Sequence, residues 1–154
     1  MFIAGHAAAG ALIGQQLGGN PILIFVVAMA SHFLLDVIPH GDGHHVNDYF
    51  AGTKKHLKAL YNVLLIDTVA TIILVSWFMA YANINRVAVA WGIIAGVLPD
   101  LLVGINEVWK KSKIKWFSKF HFLIHNALID TIKVKPWPGA MLQIAIIVLL
   151  IKAI

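Results

Sequence analysis

The sequence predicts an all-α integral membrane protein, a compact bundle of about six transmembrane helices forming a single domain over 1–154. Two observations carry this. The chain is 60% hydrophobic and only 12% charged, where a soluble domain is nearer half and a quarter. Its apolar residues fall in long runs separated by short hydrophilic gaps, the pattern of successive membrane crossings.

The first apolar segment, about Phe2 to Leu17, is rich in Ala and Gly, and Gly5, Gly10 and Gly14 let a neighbouring helix approach closely. It lacks the positive n-region of a signal peptide, and the apolar character runs on past Gly18 to Ile38, so it reads as part of the fold. Gly19-Asn20 makes a turn, and Pro21 suits the first position of a second helix that runs to about Ile38. A polar loop occupies residues 40–57. The third segment runs from about Lys58 to Ala82 and the fourth from about Val87 to Ile105, joined by a tight connection over Asn83–Arg86. A basic loop comes next. The fifth segment, about Trp116 to Ile132, is short and either spans with little tilt or lies partly re-entrant. Lys133 to Pro138 is a break, and the sixth segment runs from Gly139 to the end. At 1.5 Å per residue the longer segments cross a hydrocarbon core of roughly 30 Å, while the first and fifth are marginal.

If all six span, the N-terminus, the 40–57 loop, the 106–115 loop and the C-terminus share one face. That face collects Lys54, Lys55, Lys58, Lys110, Lys111, Lys113, Lys115, Lys119 and Lys152; the other has only Arg86, Lys133 and Lys135. The positive-inside rule makes the lysine-rich face cytoplasmic, a multi-pass inner-membrane protein with both termini in the cytoplasm. The net charge of +5 is thus a topology signal and does not point to nucleic acid.

The chemistry lies in ionisable residues within the apolar runs, where charge is costly and usually functional. Four of the seven acidic residues, Asp36, Asp67, Asp100 and Asp130, are embedded there, together with His6, His32, His121 and His125, and His40 closes the second segment. On the expected topology all except Asp130 fall in one slab near the cytoplasmic face; Asp67, for example, lies roughly 13 Å in. His32 and Asp36 are four residues apart, His40 a further four, and His121 and His125 again four, so each set shares a helix face. The segment His32-Phe-Leu-Leu-Asp36 is echoed by His121-Phe-Leu-Ile-His125, and Pro39-His40 by Pro99-Asp100. Paired ligands one turn apart are a common way to seat a metal. With no cysteine in the chain, the expected metal ligands are His6, His32, Asp36, His40, Asp67, Asp100, His121 and His125. The expected cofactor is a divalent ion, zinc first, with manganese or iron compatible and room for two ions. His44, His45, His56, Asp42 and Asp48 read as loop residues, and Asp130 as lying close to the far face.

The stretch Ser31-His32-Phe-Leu-Leu-Asp36, the early Gly5-His6 and the helix-end Pro99-Asp100 resemble motifs of the membrane-bound metal-dependent hydrolases, the YdjM-like inner-membrane family. More distantly they resemble the zinc-dependent phospholipase C fold, in which an HxxxD helix supplies zinc ligands. The resemblance covers about a third of the chain; the family's His-Arg-Gly and Thr-His-Ser element is absent, and the motif order differs. It implies metal roles for His6, His32, Asp36 and Asp100.

The resulting expectation is a metal-dependent hydrolase, with Asp67 or Asp36 as general base and a metal-activated water. The substrate is a phosphoester or ester of a lipid at the cytoplasmic face, drawn there by the lysines of 110–119. The alternative is a metal-ion or proton transport protein, which requires a polar track to the far face, where the sequence offers only Asp130, Thr71 and Gln143. A third reading, polar residues serving only to hold helices together, fits clustered His and Asp poorly.

Overall fold

The computed structural model describes residues 1–41, 54–80, 83–109, 113–129, 132 and 134–154. Among these are six helices and no strand: α1 (Ile3–Leu17), α2 (Pro21–Val37), α3 (Lys54–Ala80), α4 (Arg86–Val108), α5 (Lys115–Ile129) and α6 (Pro136–Lys152). Their boundaries reflect local chemistry. The Asn20 side chain accepts from the N–H groups of Ile22 and Leu23 at 3.0 and 3.2 Å, and Pro21 fills the first helical position, where no N–H is needed. Asn85 caps α4 in the same manner through Ala88 N. Helix α6 begins at Pro136, three residues before the expected Gly139, because a proline in the first turn forfeits no hydrogen bond. Helix α3 begins at Lys54, four residues early, because lysine is a good helix former without being apolar.

Two of the six helices, α3 over Tyr61–Ala80 and α4 over Arg86–Asn106, are long and apolar enough to cross a membrane. Helices α2 and α6 are apolar but shorter. With 15 residues each, α1 and α5 reach about 22 Å, short of a full crossing. The outward faces are largely apolar: Leu65, Ile66, Ile73 and Trp77 on α3, Val26 and Leu34 on α2, and Trp137 and Leu149 on α6 are all exposed. The interior buries small residues, a few large apolar side chains and a set of polar ones.

Helices α1 and α4 form the central seam. A Cβ at Gly10 would stand 2.2 Å from the Gly92 carbonyl oxygen, and one at Gly92 would stand 1.9 Å from that of Gly10. Gly14 meets Ala88, and Gly96 meets His6, in the same way. The seam therefore pairs two small-residue ladders spaced by four, Gly10/Gly14 and Gly92/Gly96. At one end of the seam Ala7, Ala11, Phe78, Val89 and Ile93 make an apolar core, with Ile151 and Ile154 packed on it. The polar side chains gather at the other end.

The path of the chain through the bundle differs from the expected up-and-down order at α5. Helix α4 arrives at the polar end and α6 also starts there, since Gly139 lies against the His40 carbonyl and Gly41. Helix α5 therefore enters and leaves at the polar end and covers it. Helix α6 then runs parallel to α1, so Met1 and Ile154 lie at opposite ends of the bundle rather than on one face.

Candidate metal centre

Four helices and His40, three residues past the end of α2, build the polar end. Helix α1 contributes His6, α2 contributes His32 and Asp36 with His40 just beyond, α4 contributes Asp100, and α5 contributes His121 and His125. The two i, i+4 pairs on α2 and α5 face each other: the His32 and His121 rings lie 5.3 Å apart, and His40 and His125 5.0 Å. The His6 ring stacks on His32 at 3.8 Å.

Two groups of side chains converge closely enough to hold an ion. One is His32, Asp36, Asp100 and His121; the other is Asp36, His40 and His125. Asp36 belongs to both. In the first group His32 Nε2 lies 3.1 Å from Asp36 Oδ2 and 3.7 Å from Asp100 Oδ1, and His121 Nε2 lies 3.6 Å from each of those oxygens. Ligand bonds of about 2.0–2.1 Å at tetrahedral angles put ligand atoms roughly 3.3 Å apart, so these separations suit one small divalent ion.

Tautomers sharpen this fit. His32 Nδ1 lies 2.8 Å from the Gly96 carbonyl, an acceptor only, so Nδ1 carries a proton and, in the neutral ring, Nε2 has the lone pair. His40 Nδ1 is set in the same way by the Ile38 carbonyl at 2.5 Å, and His125 Nδ1 by the Asn126 side-chain oxygen at 3.2 Å. These contacts to the second ring nitrogen are how metal-binding histidines are oriented. With the His32 ring neutral, its Nε2 and Asp36 Oδ2 are two buried acceptors 3.1 Å apart. Two lone pairs facing each other in a buried site repel; a metal cation between them removes the conflict, as does a proton on Nε2.

His6 sits at the edge of the first group, with Nε2 3.1 Å from Asp36 Oδ1 and 3.9 Å from Asp100 Oδ2. The Met1 nitrogen is also 2.8 Å from Asp36 Oδ1. His6 therefore holds the shared carboxylate from the α1 side.

Asp67 has a different place from the one expected. Its Oδ2 accepts from Ile3 N at 2.7 Å and its Oδ1 from Ala4 N at 3.2 Å, and it belongs to neither convergent group. The start of α1 is buried, its first N–H groups have no partner within the helix, and Asp67 supplies one from α3. The adjacent Phe2 N is met by Gln143 Oε1 at 2.6 Å. Replacing Asp67 with Ala is expected to cost about 1–2 kcal/mol of stability while leaving metal stoichiometry unchanged. Thermal unfolding and elemental analysis of the same preparation check both parts.

Gln143 is the residue whose role the sequence misplaced. A six-crossing topology sends it toward the far face, but it lies beside His40, donating to that residue's carbonyl at 3.0 Å. No local signal distinguishes the two positions, because only the path of α5 decides at which end α6 begins. His44, His45, Asp42, Asp48 and Asp130 lie outside the described residues, as does the side chain of His56. No model of a known protein family, no curated protein and no solved structure matches the chain.

Proposed function

We propose that the protein is a membrane-embedded metal-dependent hydrolase acting on a phosphoester or ester of a lipid, with its centre at the lysine-rich, cytoplasmic end of the bundle. The observation that carries this reading is the convergence of His32, Asp36, Asp100 and His121, with His32 Nε2 and Asp36 Oδ2 buried 3.1 Å apart. The apolar outer faces support a membrane location. So does the charge distribution, because Lys135 joins the polar end when α6 starts there and Lys152 leaves it. The similarity to the membrane-bound hydrolases rests on the quoted motifs and agrees with His6, His32, Asp36 and Asp100 lying together.

His32, Asp36, Asp100 and His121 would hold one ion, and Asp36, His40 and His125 a second, with Asp36 common to both. Zinc suits this nitrogen and carboxylate set, as do manganese and iron. A bound divalent ion supplies Lewis acidity toward a phosphoryl or acyl oxygen and acidifies water. The chain's own contribution divides between two carboxylates. Asp36, 1% exposed, holds and orients; Asp100, with 23% of its side chain exposed, reaches the adjoining cleft. Asp100 is thus the carboxylate placed to take the proton of the attacking water. The water oxygen bonds to phosphorus or the acyl carbon, and the leaving oxygen departs with a proton. Asp67, committed to α1, is not needed for this step.

The reading is favoured over transport by where polarity stops. Beyond His6 the packed residues at the other end are Ala7, Ala11, Phe78, Val89 and Ile93, and Gln143 is at the polar end. Purified protein is expected to carry stoichiometric divalent metal and to hydrolyse phosphatidic acid or an acyl ester lipid in mixed micelles. Chelation should abolish the activity, and zinc or manganese should restore it. Metal-free protein, or hydrolysis indifferent to chelation, would overturn the proposal.

A further inference from the structure

Helices α3 and α4 both pack on the bundle, α3 on α1 and α4 on α1 and α2, but among the described residues they make no broad contact with each other. Between them lies a cleft of about 710 Å³, lined by Ile3, Leu64, Thr68, Asp100, Leu101, Gly104, Ile105 and Trp109. This falls within the roughly 300–1,000 Å³ range of small-molecule sites. Along α4 it extends from Asp100 to Trp109, about 13 Å of helix axis.

We propose that this cleft admits the hydrocarbon chain of a bilayer lipid sideways between α3 and α4 and presents the lipid's polar group at Asp100; the proposal rests on the hydrolase reading above. The lining selects the occupant. Asp100 is its one ionisable residue among those described, and it belongs to the convergent group with His32, Asp36 and His121. The Thr68 hydroxyl is turned back onto the Leu64 carbonyl at 2.7 Å, so it offers the cleft no free donor. A peptide would leave its main-chain groups unsatisfied against such walls, whereas a hydrocarbon chain would not. Leu65 and Ile72 on α3 and Ile94 on α4 are exposed on the outer faces of the same two helices, so the cleft has apolar flanks.

Gly104 makes the inference testable. A Cβ built there meets nothing within 4 Å, so a larger side chain fills the cleft without disturbing the helix. The full chain in nanodiscs doped with phosphatidylglycerol bearing a diazirine on one acyl chain is irradiated, and adducts are mapped by mass spectrometry. Adducts are expected on 61–68 and 101–109. Gly104→Trp should reduce them at least fivefold while leaving adducts on the exposed α6 face at Trp137 and Leu149 unchanged. Equal labelling of the cleft and of α6, insensitive to Gly104→Trp, means annular lipid only and overturns the proposal. Metal content of the same samples separates the two readings. Metal without cleft labelling sinks the groove alone. Cleft labelling that Gly104→Trp removes, in protein devoid of metal, upholds the groove and sinks the metal centre.

Discussion

Asp36→Asn is expected to abolish metal binding at both convergent groups, lowering affinity by more than about 100-fold. Asp36 is the one residue common to the two sets. His32 Nε2 and His6 Nε2 each lie 3.1 Å from one of its oxygens. The amide is nearly isosteric, so packing is retained while the negative charge and one acceptor are lost. The single-histidine variants provide the contrast. His121→Gln removes a ligand from the first group only, and His125→Gln from the second only. If two ions bind, each of these variants should retain one, whereas Asp36→Asn retains none. Elemental analysis of the parent and the three variants, purified alike, reads this directly. Full metal content in Asp36→Asn would show that the two groups do not share this carboxylate.

Gly92→Ala is expected to be strongly disruptive, costing about 3 kcal/mol. A methyl group there would stand 1.9 Å from the Gly10 carbonyl oxygen, and the opposing atom is backbone, which cannot swing aside. Helices α1 and α4 must move apart, and His6 moves away from Asp100 with them, so metal affinity should fall along with stability. Gly104→Ala, on the same helix, is the control. Its Cβ meets open space, and replacing a mid-helix glycine by alanine gains roughly 0.5–1 kcal/mol. Thermal unfolding in detergent should therefore move in opposite directions for the two variants. A Gly92→Ala protein as stable as the parent would mean the seam is looser than its geometry implies.

Most of the secondary structure was legible in the sequence, because the signals are local. The Asn20-Pro21 start of α2, the Asn85 cap of α4 and the runs of apolar residues act within one or two turns, so their helices lie where expected. Part of the site was legible for a related reason. Four-residue spacing puts His32 with Asp36, and His121 with His125, on one face whatever the fold around them. A charge or imidazole in an apolar run also demands a partner. The family of small-residue contacts was half visible, since Gly10 and Gly14 announce a close approach without naming Gly92 and Ala88 as its other side.

What the sequence by itself determined is an all-helical chain with apolar outer faces and a surplus of buried His and Asp able to meet near one end. The tertiary structure decided which of these side chains meet and which do other work. It assigned Asp67 to the buried start of α1, because unpaired N–H groups there need an acceptor and α3 passes beside them. It made Asp36 the shared carboxylate, because α1, α4 and α5 all close on the last turn of α2. It also returned α6 to the polar end, bringing Gln143 to His40. That choice depends on whether 15 residues of α5 cross the bundle or cover it. Periodicity cannot answer such a question, because the same amphipathic face packs equally well either way; only the contacts of the neighbouring helices distinguish them.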